Sequence, residues 1–229
     1  MVATEVKSTD VQPKDTPYLK LYSVATPNGV KISLFLELLG IDYYVQKIDF
    51  SKTEQKEPWF LEKNPNGRIP TLEIVDAENN HTYISESAAI LIWLADHYDT
   101  KREYSYGTQS PLYYEELEWL FFQMAGLGPM KGQYHHFAYY APQKIEYGIK
   151  RYYEETLRLF GVLDERLKRN GTGYLVGDHL SLADIASWPW IGGGRIVLNE
   201  ELEKFPHLKS WVENIGKLDA AKRAKTIPA

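Results

Sequence analysis

Hydrophobic periodicity changes once along this chain of 229 residues, near residue 110, and that change limits the folds open to it. Before it, short β-type runs alternate with amphipathic stretches; after it, the period is helical and stays so. Residues 18–24 read as a strand with Leu19, Leu21 and Ser23 on one side. Thr26 then offers an N-cap, Pro27 fits the first helical position, and Gly40 stops the helix. Its Val30, Ile32, Leu34, Phe35, Leu38 and Leu39 point mostly inward. A second strand at 43–49 follows one helix after the first, so the pair is expected to be parallel. Residues 57–62 form a short helical turn and Asn64-Pro65-Asn66-Gly67 a loop. Strands at 71–75 and 82–85 flank a turn at 76–80, and an amphipathic helix spans 86–98.

The later part predicts helices at 111–124 and 142–169, then a capping box, Ser181-Leu182-Ala183-Asp184, stapled by Leu180 and Ile185. The expected organisation is a flexible leader at 1–17, an α/β domain at 18–100, a linker at 101–110 and an all-α domain at 111–229. The leader mixes charges with prolines and has no apolar stretch, so a secretory signal is not expected and a cytoplasmic location is. The longest apolar run, residues 87–95, falls far short of a membrane span. A net charge of −5 argues against nucleic acid and anionic membranes as partners.

The chain has no cysteine, which excludes disulfides, thiolate metal sites and a protein-borne thiol nucleophile. Any thiol chemistry must use a sulfur brought in as a ligand. Thr26-Pro27-Asn28-Gly29 is either a plain helix cap or a place where hydroxyl, amide and helix-start N–H groups converge on an anion. If that anion is a thiolate, lowering its pKa from about 8.5 to about 6.5 takes roughly 2.7 kcal/mol. A helix end supplies about 0.3–1 kcal/mol, so a side-chain donor such as Asn28 or Thr26 is needed as well. Ile69-Pro70, in Arg68-Ile69-Pro70-Thr71, is either an ordinary proline at a strand start or a cis bond that presents Ile69 to an extended peptide. Glu86-Ser87 is either a first-turn acid with a cap, or a carboxylate and hydroxyl matched to the amine and carboxylate of an α-amino acid end. His135-His136 is a poor metal pair, because adjacent helical residues point about 100° apart. Gly192-Gly193-Gly194-Arg195 lacks what a phosphate loop requires. The aromatics from Trp119 to Tyr140 are mostly core, with some near Gly126-Leu127-Gly128-Pro129 available to an apolar acceptor cleft.

With these motifs in this order, the chain resembles the soluble glutathione transferases from Tyr18 almost to its end. Thr26-Pro27-Asn28-Gly29, and residues 127–133 with His135-His136-Phe137, are similar to the nu class and to its fungal relatives of the nitrogen-regulator prion type. The resemblance implies a thioredoxin-like N-terminal domain, an all-α C-terminal domain and a homodimer. It implies that Asn28 and Thr26 hold the glutathione sulfur and that Ile69 pairs with the cysteinyl backbone. Glu86 and Ser87 would take the γ-glutamyl end, Gln55 and Arg68 the glycyl end, and Arg151 would reach the tripeptide from the helical domain. Glutathione, reduced or oxidised, would be the co-substrate, with no metal. The acceptor would be a disulfide, a peroxide or a small apolar electrophile. The rival expectations are a conjugating transferase and a non-catalytic glutathione carrier or regulatory module. The prion-type Asn/Gln-rich extension is missing.

Overall fold

The computed structural model describes residues 6–8, 15–193 and 198–228, which fall into two compact units. Unit 1 holds the chain up to Tyr98 together with Asp219–Ala229; unit 2 is Asp99–Leu218.

Unit 1 is built on a five-stranded sheet in the order β1-β3-β2-β4-β5. The strands are β1 (Val6–Ser8), β2 (Tyr18–Ser23), β3 (Tyr43–Lys47), β4 (Thr71–Val75) and β5 (His81–Ser85). β2 and β3 are parallel, joined by α1 (Pro27–Leu39), whereas β4 runs antiparallel to both β2 and β5. α1 begins as its sequence requires, with Thr26 Oγ1 accepting from the Gly29 N–H, and ends at Gly40 with φ 67°. α2 (Pro58–Leu61) is a single turn, and α3 (Ser87–Tyr98) follows β5.

Two features of unit 1 correct the sequence expectations. Within the expected leader 1–17, Val6–Ser8 is a strand that pairs in parallel with β3; the β3 edge is an open ladder that a short extended segment can complete. The remaining leader positions 1–5 and 9–14 lie outside the described residues. The expected all-α domain 111–229 also loses its end, because α10 (Asp219–Ala224) packs on α1. Arg223 Nε donates to the Glu37 carboxylate, and Tyr43 OH donates to the same group over 3.4 Å. With α3 and α10 both against it, α1 is buried without a break from Gly29 to Glu37, including Lys31, Ser33 and Glu37. That is more enclosure than an amphipathic helix on a sheet would have.

Unit 2 is helical: α4 (Tyr113–Phe122), α5 (Gly128–His135), α6 (Glu146–Asn170), α7 (Leu182–Trp188), α8 (Asn199–Leu202) and α9 (Pro206–Gly216). α4 does not stop at residue 124. It runs through a π-helical turn, Gln123–Leu127, directly into α5, with the Gly128 N–H reaching back to Gln123 O. Gly126, Gly128 and Pro129 read as breakers, yet a widened turn accommodates a proline that has no N–H to give. The capping box forms as expected, and Asp184 beneath it accepts from the N–H groups of Leu175 (2.9 Å) and Ser181 (3.0 Å), the Ser181 hydroxyl and Trp211 Nε1. Glu116, buried in the same unit, accepts from the N–H groups of Tyr106 and Leu182, while burial raises its pKa to about 7. Gly194 and Arg195 of the glycine run lie outside the described residues. Among the described residues no helix is long and apolar enough to cross a membrane.

Candidate functional site

Strand register gathers the candidate residues of unit 1 at one end of its sheet. Tyr22 stands opposite Thr71, and Thr71 opposite Ser85, so the end of β2, the start of β4 and the end of β5 coincide. Ser23 pairs with Lys47, and Ser23 O accepts from the Ile48 N–H over 3.0 Å, which brings the loop after β3 to the same end. The segments holding Thr26 and Asn28, Gln55, Arg68 and Ile69, and Glu86 and Ser87 all leave the sheet there.

Local chemistry fixes each segment. Gly29 lies so close under β2 that a Cβ would come within 2.1 Å of Val24 O and 2.4 Å of Ser23 Oγ. The helix start, with half-buried Asn28 in its first turn, is therefore held tightly to the strand end. Ile69-Pro70 is cis, and Asn64 Nδ2 donates both to Arg68 O (2.7 Å) and to Thr71 Oγ1 (3.1 Å). Ile69 packs on the Tyr22, Ile48 and Phe60 cluster, while the Arg68 side chain is exposed. Gly67, at φ 61°, would put a Cβ 2.6 Å from Gln55 O, so the Gln55 and Arg68 loops touch. Gln55 Oε1 is buried and without a hydrogen-bond partner, an acceptor waiting for a donor.

Glu86 adopts φ 69°, left-handed backbone that a side-chain-bearing residue seldom takes, and its exposed carboxylate precedes α3. Ser87 is buried and accepts from Lys31 Nζ over 3.1 Å. Burial lowers the Lys31 ammonium to about 7, with the Glu86 charge opposing that shift. Sequence reasoning passed over Lys31 and Asn64. The only hint was the placing of Lys31 between inward Val30 and Ile32, one turn beyond Asn28.

Arg151 belongs to unit 2. It lines a cavity of about 720 Å³ with Met130, Tyr147, Lys150, Tyr152 and Arg158 among its walls. Lys150 faces Glu154 (3.8 Å) and Arg158 faces Glu155 (2.8 Å) in that wall, and the Arg151 charge also acts on Glu155. Among the described residues no group of three or more His, Asp and Glu that could hold a metal ion is found. Burial lowers His135 to about 4, with the Lys131 charge adding to the effect.

A sheet of this topology in one unit and an all-helical second unit, with a helix start, a cis-proline edge and an acid-hydroxyl pair at one sheet end, define a glutathione transferase fold. Family models agree: the glutathione S-transferase N-terminal domain matches residues 26–97 and the C-terminal domain residues 127–219. The chain belongs to the glutathione S-transferase family. It is 41% identical over 211 residues to the disulfide-bond oxidoreductase YfcG of Escherichia coli, covering 90% of this chain and 94% of the relative. A glutathione transferase homologue from Lodderomyces elongisporus, solved with two glutathiones per subunit, superposes with a TM-score of 0.85 at 41% identity. That match covers 93% of this chain and all of the other. The glutathione transferase URE2P6 of Phanerochaete chrysosporium, in complex with oxidised glutathione, superposes at 0.83 with 35% identity, covering 91% and 94%.

Proposed function

We propose that this protein is a glutathione-dependent oxidoreductase and transferase of the nu-like, fungal prion-regulator-like subgroup, which holds the glutathione sulfur as a thiolate. The observation that carries this reading is the convergence, at one sheet end, of the α1 start, the Ile69 edge and the Glu86-Ser87 pair in a chain without cysteine. Relatives named as a disulfide-bond oxidoreductase and as glutathione transferases with reduced or oxidised glutathione bound support it.

The residue roles in this reading are those the family resemblance implies, and the geometry is compatible with them. Thr26 Oγ1 caps α1 as an acceptor, so its own proton and the Asn28 amide are the side-chain donors at the helix start. Together with the helix N-terminus they supply the ~2.7 kcal/mol that a thiol ionised near neutral pH requires. Ile69 offers main-chain pairing to the cysteinyl residue. Glu86 meets the γ-glutamyl amine, Ser87 its carboxylate, and Gln55, with Arg68, the glycyl end. Arg151 supplies a further cation from unit 2.

In disulfide reduction the bound thiolate attacks one sulfur of the acceptor, forming a mixed disulfide and expelling the other sulfur as a thiolate that takes a proton from solvent. With no protein cysteine, a second glutathione must resolve the mixed disulfide, giving glutathione disulfide and the second reduced thiol. The same thiolate serves peroxide reduction or attack on a small apolar electrophile. The assembly is read as a cytoplasmic homodimer, and the domains as 18–100 and 111–218, the last helix joining the first.

Steady-state rates with hydroxyethyl disulfide and with a chloronitrobenzene substrate test the reading. Faster disulfide turnover, lost in Asn28→Ala, is the expected result. Turnover unchanged in that variant would overturn the role of Asn28, and glutathione binding without turnover of either substrate in wild type would establish the carrier alternative instead.

A further inference from the structure

Asn64 is a buried amide, 3% exposed, to which the reaction scheme gives no task. Each of its polar groups is engaged inside unit 1. Its N–H donates to Phe60 O over 2.9 Å, and its C=O accepts from the Gly67 N–H over 2.8 Å. Oδ1 accepts from the Asn66 N–H over 3.0 Å, while Nδ2 donates to Arg68 O over 2.7 Å and to Thr71 Oγ1 over 3.1 Å. One side chain thus ties the loop at 64–67 to both flanks of Ile69-Pro70.

Thr71 Oγ1 donates to the same Arg68 oxygen over 3.4 Å, so two buried side chains fill its two lone pairs. The Arg68 carbonyl therefore faces the interior. The same peptide group carries the Ile69 N–H, and the Arg68–Ile69 bond is trans. In a planar trans peptide the C=O and N–H point in opposite directions. Drawing the carbonyl toward Asn64 turns the Ile69 N–H away from it. The Ile69 side chain is anchored separately, on the Tyr22, Ile48 and Phe60 cluster, which fixes the tilt of that peptide plane. Among the described residues nothing accepts from the Ile69 N–H. A carbonyl that accepts hydrogen bonds also polarises its peptide group, which strengthens the opposite N–H as a donor.

We propose that Asn64 is a positioning residue for the Ile69 main-chain donor: through Arg68 O it aims and strengthens the N–H that meets the cysteinyl carbonyl of the tripeptide. This inference rests on the glutathione reading above, in which Ile69 pairs with the cysteinyl residue. Removing the Asn64 amide then weakens a ligand that presents that carbonyl and spares one that does not.

The test compares three ligands on the intact protein. S-methylglutathione presents the cysteinyl carbonyl and the glycine. γ-Glutamyl-S-methylcysteinamide keeps the carbonyl without the glycine, and γ-glutamyl-S-methylcysteamine lacks both. In Asn64→Ala the first two should bind about 5- to 10-fold more weakly, and the third should change by less than about twofold. Tryptophan fluorescence titrations, taken into the millimolar range and referred to folded protein, read all three. With hydroxyethyl disulfide as acceptor, KM for glutathione should rise while kcat hardly moves, because the contact exists before and during the attack. Thr71→Val keeps the branched shape and removes only the hydroxyl, so it serves should Asn64→Ala not fold. It should show the same ligand preference at about two- to threefold. Equal weakening of all three ligands, weakening of S-methylglutathione alone, or unchanged affinities overturns the role of Asn64. A fall in kcat at constant KM does so too. If S-methylglutathione does not bind wild type at all, the glutathione reading itself fails and takes this inference with it.

Discussion

Units 1 and 2 both bury polar groups, but they spend them differently. In unit 2, Asp184 and Glu116 are consumed internally: their oxygens are filled by backbone N–H groups, the Ser181 hydroxyl and an indole. In unit 1 Glu37 and Glu73 are likewise filled from within, but other polar groups lie at one open sheet end. Gln55 Oε1 has no donor, Glu86 is exposed on strained backbone, and Lys31 backs a serine at a helix start. A carboxylate inside the helical unit is therefore architectural, whereas the polar groups at the sheet end are the ones the proposed glutathione site would use.

The largest expected effect that would break this contrast is at Gly29. Gly29→Ala drives a methyl into the Val24 carbonyl and the Ser23 hydroxyl, and a backbone atom cannot step aside; the loss should reach or exceed roughly 3 kcal/mol, the top of the usual overpacking range. Urea unfolding followed by Trp fluorescence would read it in unit 1, which holds Trp59 and Trp93. Asp184→Ala is the counterpart in unit 2. It strands several buried donors rather than one cap, so a loss of about 3 kcal/mol is expected, with glutathione affinity per folded molecule unchanged. A fall in affinity would mean that the helical unit's acid is not merely architectural.

Asn28→Ala should reverse the pattern, lowering disulfide-reductase turnover by about 10- to 100-fold while the unfolding midpoint hardly moves. Ultraviolet absorbance of the bound thiolate, titrated with pH, checks the same variant directly. Ser87→Ala should weaken glutathione binding by about 3- to 10-fold, a larger change than its effect on stability. The smallest effect concerns the outer sheet cluster. Glu73 is depressed below the ordinary carboxylate range: burial alone would raise it, but the hydrogen bonds from Tyr22, His81 and Tyr83 outweigh that. A depressed carboxylate contributes stability above its unfolded value, near 4.3, which is lost as pH falls through its folded value. Glu73→Gln should therefore flatten the acid limb of unit 1 unfolding; an unchanged limb would show that the cluster titrates elsewhere.

Much of this was legible in the sequence where one residue type answers one local demand. Thr26 with Pro27 announced the α1 start, Gly40 its end and Ser181 with Asp184 the capping box, while Ile69-Pro70 left the cis bond, which the structure has, as one of two alternatives. What escaped depended on partners distant in the chain. Lys31 and Glu37 look like solvent-facing residues of an amphipathic helix, and nothing local tells that Ser87, Glu86 and Arg223 enclose them. The Gly126 to Pro129 run looks like a break, because a π-helical turn has no compositional signature. Val6–Ser8 became a strand only because the β3 edge was there to receive it.

The return of α10 to α1 has a consequence in time. A ribosome making roughly 5–20 residues per second finishes the β-rich unit's main body, then spends many seconds on the helical unit before the closing segment emerges. Throughout that interval Glu37 lacks Arg223, and α1 stays uncovered on one side. A chain truncated before residue 219 would leave the α1 face that α10 covers open.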